Sequence, residues 1–212
     1  MKTLFTAIRK REIEKIKELI TKQPALVNCI AKQPPKKDDG QSPLQIAFKT
    51  GNFWAVKYFL ENGADINFID ATSVNEWKMP VLHDAVMATV ALARFEYPVD
   101  PWNKEKKDVY ELKGVKEHFE KTFSLLKMMV DNGADVNSVD SYGNSVLMRA
   151  CSDIQNRSTI EDRPLAKETV EDLRQIFDLL ISSGADLNYS ATSRKSVIEM
   201  NKKLLEQLKI EI

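Results

Sequence analysis

The sequence predicts an all-α fold, a solenoid of stacked helix-turn-helix units joined by short hairpin turns. Three observations carry that expectation. A hexamer recurs as NGADIN at 62–67, NGADVN at 132–137 and SGADLN at 183–188. Each copy closes an apolar run with helical spacing. Each also places a glycine where the helix must stop, followed by Asp and Asn, whose side chains hydrogen-bond to nearby backbone and turn the chain. Helix stops of one design imply a repeated supersecondary unit.

Residues 3–28 begin with Thr3 placed to cap a helix. They set Leu4, Ala7 and Ile8, then Ile13, Ile16, Leu19 and Ile20, at helical intervals. This predicts two short helices broken near Lys10–Glu12. Their other face is strongly polar, as suits a terminal unit with one side on the stack and one in water. Residues 30–41 contain PPKKDDG and predict a loop or hairpin. Ser42 then caps a helix whose first residue is Pro43, where the missing N–H costs nothing. Leu44, Ala47 and Phe48 form its apolar stripe as far as Gly51, and Phe53, Val56, Phe59 and Leu60 form that of a second helix ending at Gly63.

The stretch DGQSPLQIAFKTGNFWAVKYFLENGADIN, residues 39–67, resembles an ankyrin repeat, with its Gly, Pro, Leu, Ala, Gly, Val, Leu and GAD.N positions in register. Another unit keeps MPVLHDAV at 79–86 and SLLKMMVDNGADVN at 124–137, and a further one keeps DSYGNSVLMRAC at 140–151 and QIFDLLISSGADLN at 175–188. The opening helices and the final residues, with Val197, Ile198, Leu204, Leu205 and Leu208, resemble degenerate terminal repeats. The resemblance implies a single ankyrin domain over 1–212 of about five repeats. These are 3–28, 38–67, 70–137 with an insertion near 90–118, 140–188 with an insertion near 153–170, and a C-terminal cap at 193–212.

The spacing departs from the family. Closing Asn residues lie 39 (Asn28 to Asn67), 70 (Asn67 to Asn137) and 51 (Asn137 to Asn188) residues apart, where the family unit is about 33. Most of the excess falls between the two helices of a unit: Leu44 to Val56 spans 12 residues, Leu82 to Leu126 spans 44 and Leu147 to Phe177 spans 30. The insertions themselves look helical. Asp84–Phe95 is expected to continue one helix, and 109–130 to contain a helical run with Val115, Phe119, Phe123 and Leu126. Residues 96–108 would join them, with Tyr97, Pro98, Pro101 and Trp102 making a turn with apolar cover. Ala166–Ile181 is the expected long second helix of the next unit.

With 43% hydrophobic and 29% charged residues, the composition is that of an ordinary globular protein. Net charge is zero but unevenly spread: residues 1–60 carry 12 Lys/Arg against 5 Asp/Glu, and 61–212 carry 19 against 26. Solvated helix faces account for both excesses. Cys29 and Cys151 lack metal-ligand spacing, which suits a reduced intracellular protein. The apolar start is broken by Arg9 and no run is long enough to span a bilayer, so a cytoplasmic, membrane-free monomer is expected.

No catalytic, cofactor-binding or metal-ligating set is expected. His83 sits in the family's LH.A motif, and the resemblance implies a structural ring rather than a catalytic pair with Asp84. His118 should face solvent beside Glu117 and Glu120. Glu171–Asp172 reads as a helix face rather than a general acid and base. The glycines close helices or turns, which leaves no phosphate-cradling loop. The basic residues Arg9, Lys10, Arg11, Lys15, Lys17 and Lys22 interleave with Glu12, Glu14 and Glu18 and lack alternating aromatics, so nucleic acid is not an expected partner.

The resemblance instead implies a non-catalytic module that binds another protein through the concave face of the array. Carried over position by position, that face comprises Gln41 and Lys49 of one unit. It continues with Ile69, Trp77, Lys78 and Met87 of the next, and with Val139, Tyr142, Asn144 and Ser152 of the one after. Exposed aromatic and aliphatic side chains on neighbouring repeats would have the composition of an interface hot spot. The competing expectation is that Trp77 folds back to cap its own core. Two other roles stay open: an inhibitor or immunity-type protein that neutralises one toxin or enzyme, and an enzyme with a polar pocket near residues 90–120 formed by His118, Tyr110 and carboxylates.

Overall fold

The computed structural model describes residues 2–32, 35–74, 76–100, 102, 109–158, 163–192 and 194–211. Helices α1 (Lys2–Lys10) and α2 (Ile13–Lys22) are followed by the pair α3 (Pro43–Lys49) and α4 (Phe53–Glu61). Next come α5 (Val81–Leu92), strands β1 (Phe95–Pro98) and β2 (Tyr110–Lys113), and α6 (Lys116–Asp131). The chain continues through α7 (Val146–Arg157), α8 (Lys167–Ser182) and α9 (Val197–Gln207). The fold is an all-α helical repeat with, among the described residues, one small two-stranded ribbon.

The helices form two layers. In one, α1 packs on α3, α3 on α5, α5 on α7 and α7 on α9; in the other, α4 packs on α6 and α6 on α8. Between them runs a continuous core that includes Leu4, Ile8, Leu44, Val56, Phe59, Leu82, Leu126, Leu147, Phe177 and Leu205. Most positions expected from helical spacing are buried or half-buried, but Ile13 and Val115 are exposed. Thr3 is not a cap, because α1 already begins at Lys2. Ser42 caps α3 as expected, in a reciprocal box with Gln45.

The hexamers are more than helix stops. Asn28 Nδ2 donates to Gly63 O at 2.9 Å, while its Oδ1 accepts from Asp65 N at 2.8 Å. Asn67 joins Gly133 O and Asp135 N in the same way, at 3.2 and 2.8 Å, and Asn137 joins Gly184 O and Asp186 N at 2.8 and 2.9 Å. Each closing Asn thus clamps the next glycine turn. This is why the motif recurs intact across units of unequal length. The turns between units also touch: Ala71 N donates to Gly40 O and Ser141 N to Lys78 O, both at 2.9 Å.

The insertions lengthen helices, as expected. Helices α3 and α4 have 7 and 9 residues, whereas α5 and α7 have 12 and α6 and α8 have 16. Between α5 and α6 the expectation fails. The α5 helix ends at Leu92, and Phe95–Pro98 pairs antiparallel with Tyr110–Lys113, with Phe95 opposite Lys113. Alternation of large apolar and aromatic residues through Phe95, Tyr97, Tyr110 and Leu112 suits a pleated ribbon better than a helix. Trp102, expected under apolar cover, is 93% exposed, and Pro101 lies outside the described residues.

What ends α5 is an ion pair. Arg94 donates from its backbone N, Nε and an Nη to the carboxylate of Asp172 at 2.9, 2.9 and 2.7 Å. Asp172, expected with Glu171 to form a helix face, is fully buried on α8. Glu171 stays largely exposed and approaches the same guanidinium at 3.6 Å.

Candidate partner-binding face

His83 and Asp84 are neighbours on α5 with separate partners. The His83 ring is buried, and Nε2 meets Ser138 O at 3.1 Å. Burial lowers its pKa to about 4, so the ring is neutral at pH 7 and serves the stack. Asp84 turns instead toward α3, where Gln45 Nε2 donates to its Oδ2 at 3.1 Å and Lys49 Nζ lies 3.5 Å from its Oδ1. Burial pushes the Asp84 carboxyl up to about 7; Lys49 opposes the shift, and the nearby Asp70 charge adds to it. His118 is exposed on α6, and Tyr110 lies beneath the Arg163 guanidinium at 3.9 Å. Neither lines a hollow formed by the described residues alone.

Two hollows adjoin across Lys49, Trp77 and Met79. One, of about 560 Å³, has apolar walls from Phe48, Phe53, Met87 and Leu92, with Arg11, Arg157 and Asp84 also lining it. The other, of about 660 Å³, is lined by Gln41, Asp70, Val74, Glu76 and Tyr142 together with the shared residues.

Trp77 does not fold back on its own unit. Its indole Nε1 donates to Asp140 Oδ2 at 3.0 Å, and the Arg149 guanidinium lies 4.8 Å from the ring centre. Asp140 is itself buried and also accepts from Tyr142 N, Asn144 N and Arg149 Nη. Burial alone would raise its pKa, but hydrogen bonds from Asn144, Trp77 and Arg149 outweigh that and hold it at about 2. Trp77 is therefore fixed by an ionised carboxylate on the following turn while 39% of it faces outward.

Of the ten candidate positions, Gln41, Lys49, Trp77, Met87 and Tyr142 meet at these hollows. The others do not line them. Ile69 and Val139 are exposed on the hairpin turns, in bridges to Pro80 and Ser145. Lys78 is exposed, with its backbone N bonded to Ser141 Oγ at 2.9 Å. The Asn144 side chain is occupied, donating to Asp140 and accepting from Arg194 at 2.8 Å. Ser152 is half-buried on α7. Sequence reasoning missed Asp70, Asp84 and Asp140. A signal existed for Asp84, a lone carboxylate in the apolar first half of α5.

The repeat geometry coincides with a family match. The family model for ankyrin repeats (3 copies) matches residues 1–70. Residues 1–70 carry ankyrin repeats. Beyond the matched ankyrin segment, the same Asn clamp recurs at Asn67 and Asn137. Comparison with curated proteins returns no match. Ankyrin repeats are generally protein–protein interaction modules and typically non-enzymatic. Among the described residues no helix is long and apolar enough to cross a membrane.

The buried carboxyl has a pH signature. A folded pKa of about 7 against an ordinary 3.8 means the folded chain holds a proton that the unfolded chain releases. This contribution is complete below about pH 3.8 and is lost as pH rises through 7. Between pH 5 and 7 it falls by about 2 kcal/mol. The His83 contribution runs the other way, present above pH 6.5 and lost as pH falls toward 4. Asp84→Asn removes only the first, so the variant's stability should gain on that of the wild type by about 2 kcal/mol from pH 5 to 7. Urea unfolding of both proteins at several pH values measures this; parallel curves would show that Asp84 is ionised throughout.

Proposed function

We propose that this chain is a non-catalytic, monomeric, cytoplasmic adaptor that binds a protein partner through the concave face of its ankyrin array. The observation that carries the reading is the convergence of Trp77, Met87 and Tyr142 with Lys49 and Gln41 on two adjoining hollows. One hollow is apolar enough to take a hydrophobic anchor, and the exposed Trp77 and Tyr142 rings are residue types that dominate binding energy at interfaces. Asp140 and Arg149 hold Trp77 in place before a partner arrives, which reduces the ordering cost of association.

The test is affinity capture from the native cell with wild-type chain and with a Trp77/Met87/Tyr142 triple alanine variant. The captured protein should bind the variant at least about tenfold more weakly, since each anchor contributes on the order of 1 kcal/mol or more. Capture unchanged by the triple substitution would place the interface elsewhere.

A further inference from the structure

The hollow beside Trp77 carries more chemical information than its apolar neighbour. Asp70 and Gln41 are each only 8% exposed, and both line it. Asp70 Oδ1 and Gln41 Oε1 are buried and have no hydrogen-bond partner among the described residues. Both are acceptors, so whatever completes this hollow must bring N–H or O–H donors. Charge narrows the choice. The lining carboxylates are Asp70 and Glu76 and the lining cation is Lys49, whose ammonium lies 3.5 Å from Asp84. Two lining carboxylates thus face one lining ammonium that is already drawn toward Asp84, and burial holds the Asp70 carboxyl above the ordinary range.

A cation with several donors meets these demands, and the walls favour a flat one. Trp77 and Tyr142 are 39% and 51% exposed, and Trp77 already accommodates the Arg149 guanidinium against its ring. A guanidinium can stack on such faces while its fork of N–H groups reaches separate acceptors; an ammonium does this less well.

We propose that the hollow formed by Gln41, Asp70, Trp77 and Tyr142 is a subsite for an arginine side chain of the protein partner. This rests on the reading of the concave face as the partner-binding surface, and it specifies the chemistry by which that surface selects. The arginine donates to Asp70 Oδ1 and Gln41 Oε1 and stacks against the aromatic walls. An adjoining apolar side chain of the partner fills the neighbouring hollow.

The probe is a short blocked glycine peptide carrying a single arginine, titrated into the full chain with labelled tryptophan indoles. Trp54 and Trp102 serve as internal references, since neither lines this hollow. The Trp77 indole signal should shift and saturate with the arginine peptide. A citrulline peptide, equal in shape but uncharged, should bind about tenfold or more weakly. Asp70→Asn should weaken the arginine peptide to the same extent while leaving the thermal midpoint unchanged or raised, because it removes a buried carboxylate without changing shape. Equal binding of arginine and citrulline peptides, or undiminished binding by Asp70→Asn, would overturn the subsite. So would free arginine amide binding as tightly as the peptide, which would make the hollow a small-cation site. A captured partner lost by the triple alanine variant but kept by Asp70→Asn would overturn the arginine subsite and leave the concave-face reading standing. A partner kept by both variants would overturn both.

Discussion

Arg94→Ala should lower the free energy of unfolding by about 3–5 kcal/mol, far more than the loss of a surface ion pair. The Asp172 carboxylate is fully buried, and its contacts with the Arg94 side chain are a bidentate pair at 2.9 and 2.7 Å. Truncating the arginine leaves that charge inside the protein with only the backbone N–H of residue 94 as a donor. Asp172→Ala should cost less, because the guanidinium, whose side chain is only 13% exposed, keeps Glu168 O at 3.4 Å and the Glu171 carboxylate at 3.6 Å. The energy of such a pair lies mainly in the penalty for breaking it. Replacing both residues with leucine should therefore recover much of the loss. Urea unfolding of the two single variants and the double variant forms a closed cycle that measures the coupling. A single-variant cost below about 1 kcal/mol would mean that the pair is screened as at a surface.

This pair also shows where sequence reasoning reaches its limit. The repeated hexamers could be recognised because helix stop, turn and clamp lie within a few residues of each other. The amphipathic stripes of α3, α4, α6 and α8 were equally local. In α8, however, Thr169, Asp172, Leu173, Ile176 and Phe177 form one buried stripe. A carboxylate on that stripe signals a buried partner without saying which. The partner lies 78 residues away in sequence, beyond any local period. The β1–β2 ribbon was missed for a related reason. Its residues carry mixed propensities, and its pairing depends on Arg94 being held by α8 and on Gly114 adopting a φ of +112° to enter α6.

The candidate face was legible in the same uneven way. Family positions located Lys49, Met87, Trp77 and Tyr142 because they project from regular helix and turn geometry. Asn144 lies off these hollows, with its side chain bonded to Asp140 and Arg194, and family positions gave no hint of Asp70. That residue lines the hollow beside Trp77 from outside any helix, where no periodicity marks it.

The turn on which Gly40 sits allows a comparison of two alanine substitutions that differ in only one respect. Gly40 and Gly63 have nearly the same left-handed backbone, φ +78° and +80°. Placing alanine at either position therefore carries a similar conformational cost of about 1 kcal/mol. At Gly63 a Cβ would meet nothing within 4 Å. At Gly40 it would lie 2.0 Å from Thr72 N and 2.4 Å from Ala71 C, both backbone atoms that cannot rotate away. To admit the methyl, the turns must separate. That breaks the bond from Ala71 N to Gly40 O and disturbs the anchoring of Ser73 on Asp39. Gly40→Ala should then cost about 3 kcal/mol or more, against about 1 kcal/mol for Gly63→Ala. The same displacement moves Asp70 away from Gln41, so Gly40→Ala should weaken partner binding at concentrations where the variant remains folded, and Gly63→Ala should not. Denaturation midpoints test the first part and binding of the captured partner the second. Equal costs at the two positions would mean that the packed turns yield to the extra methyl, and the face they support would then be adaptable rather than preformed.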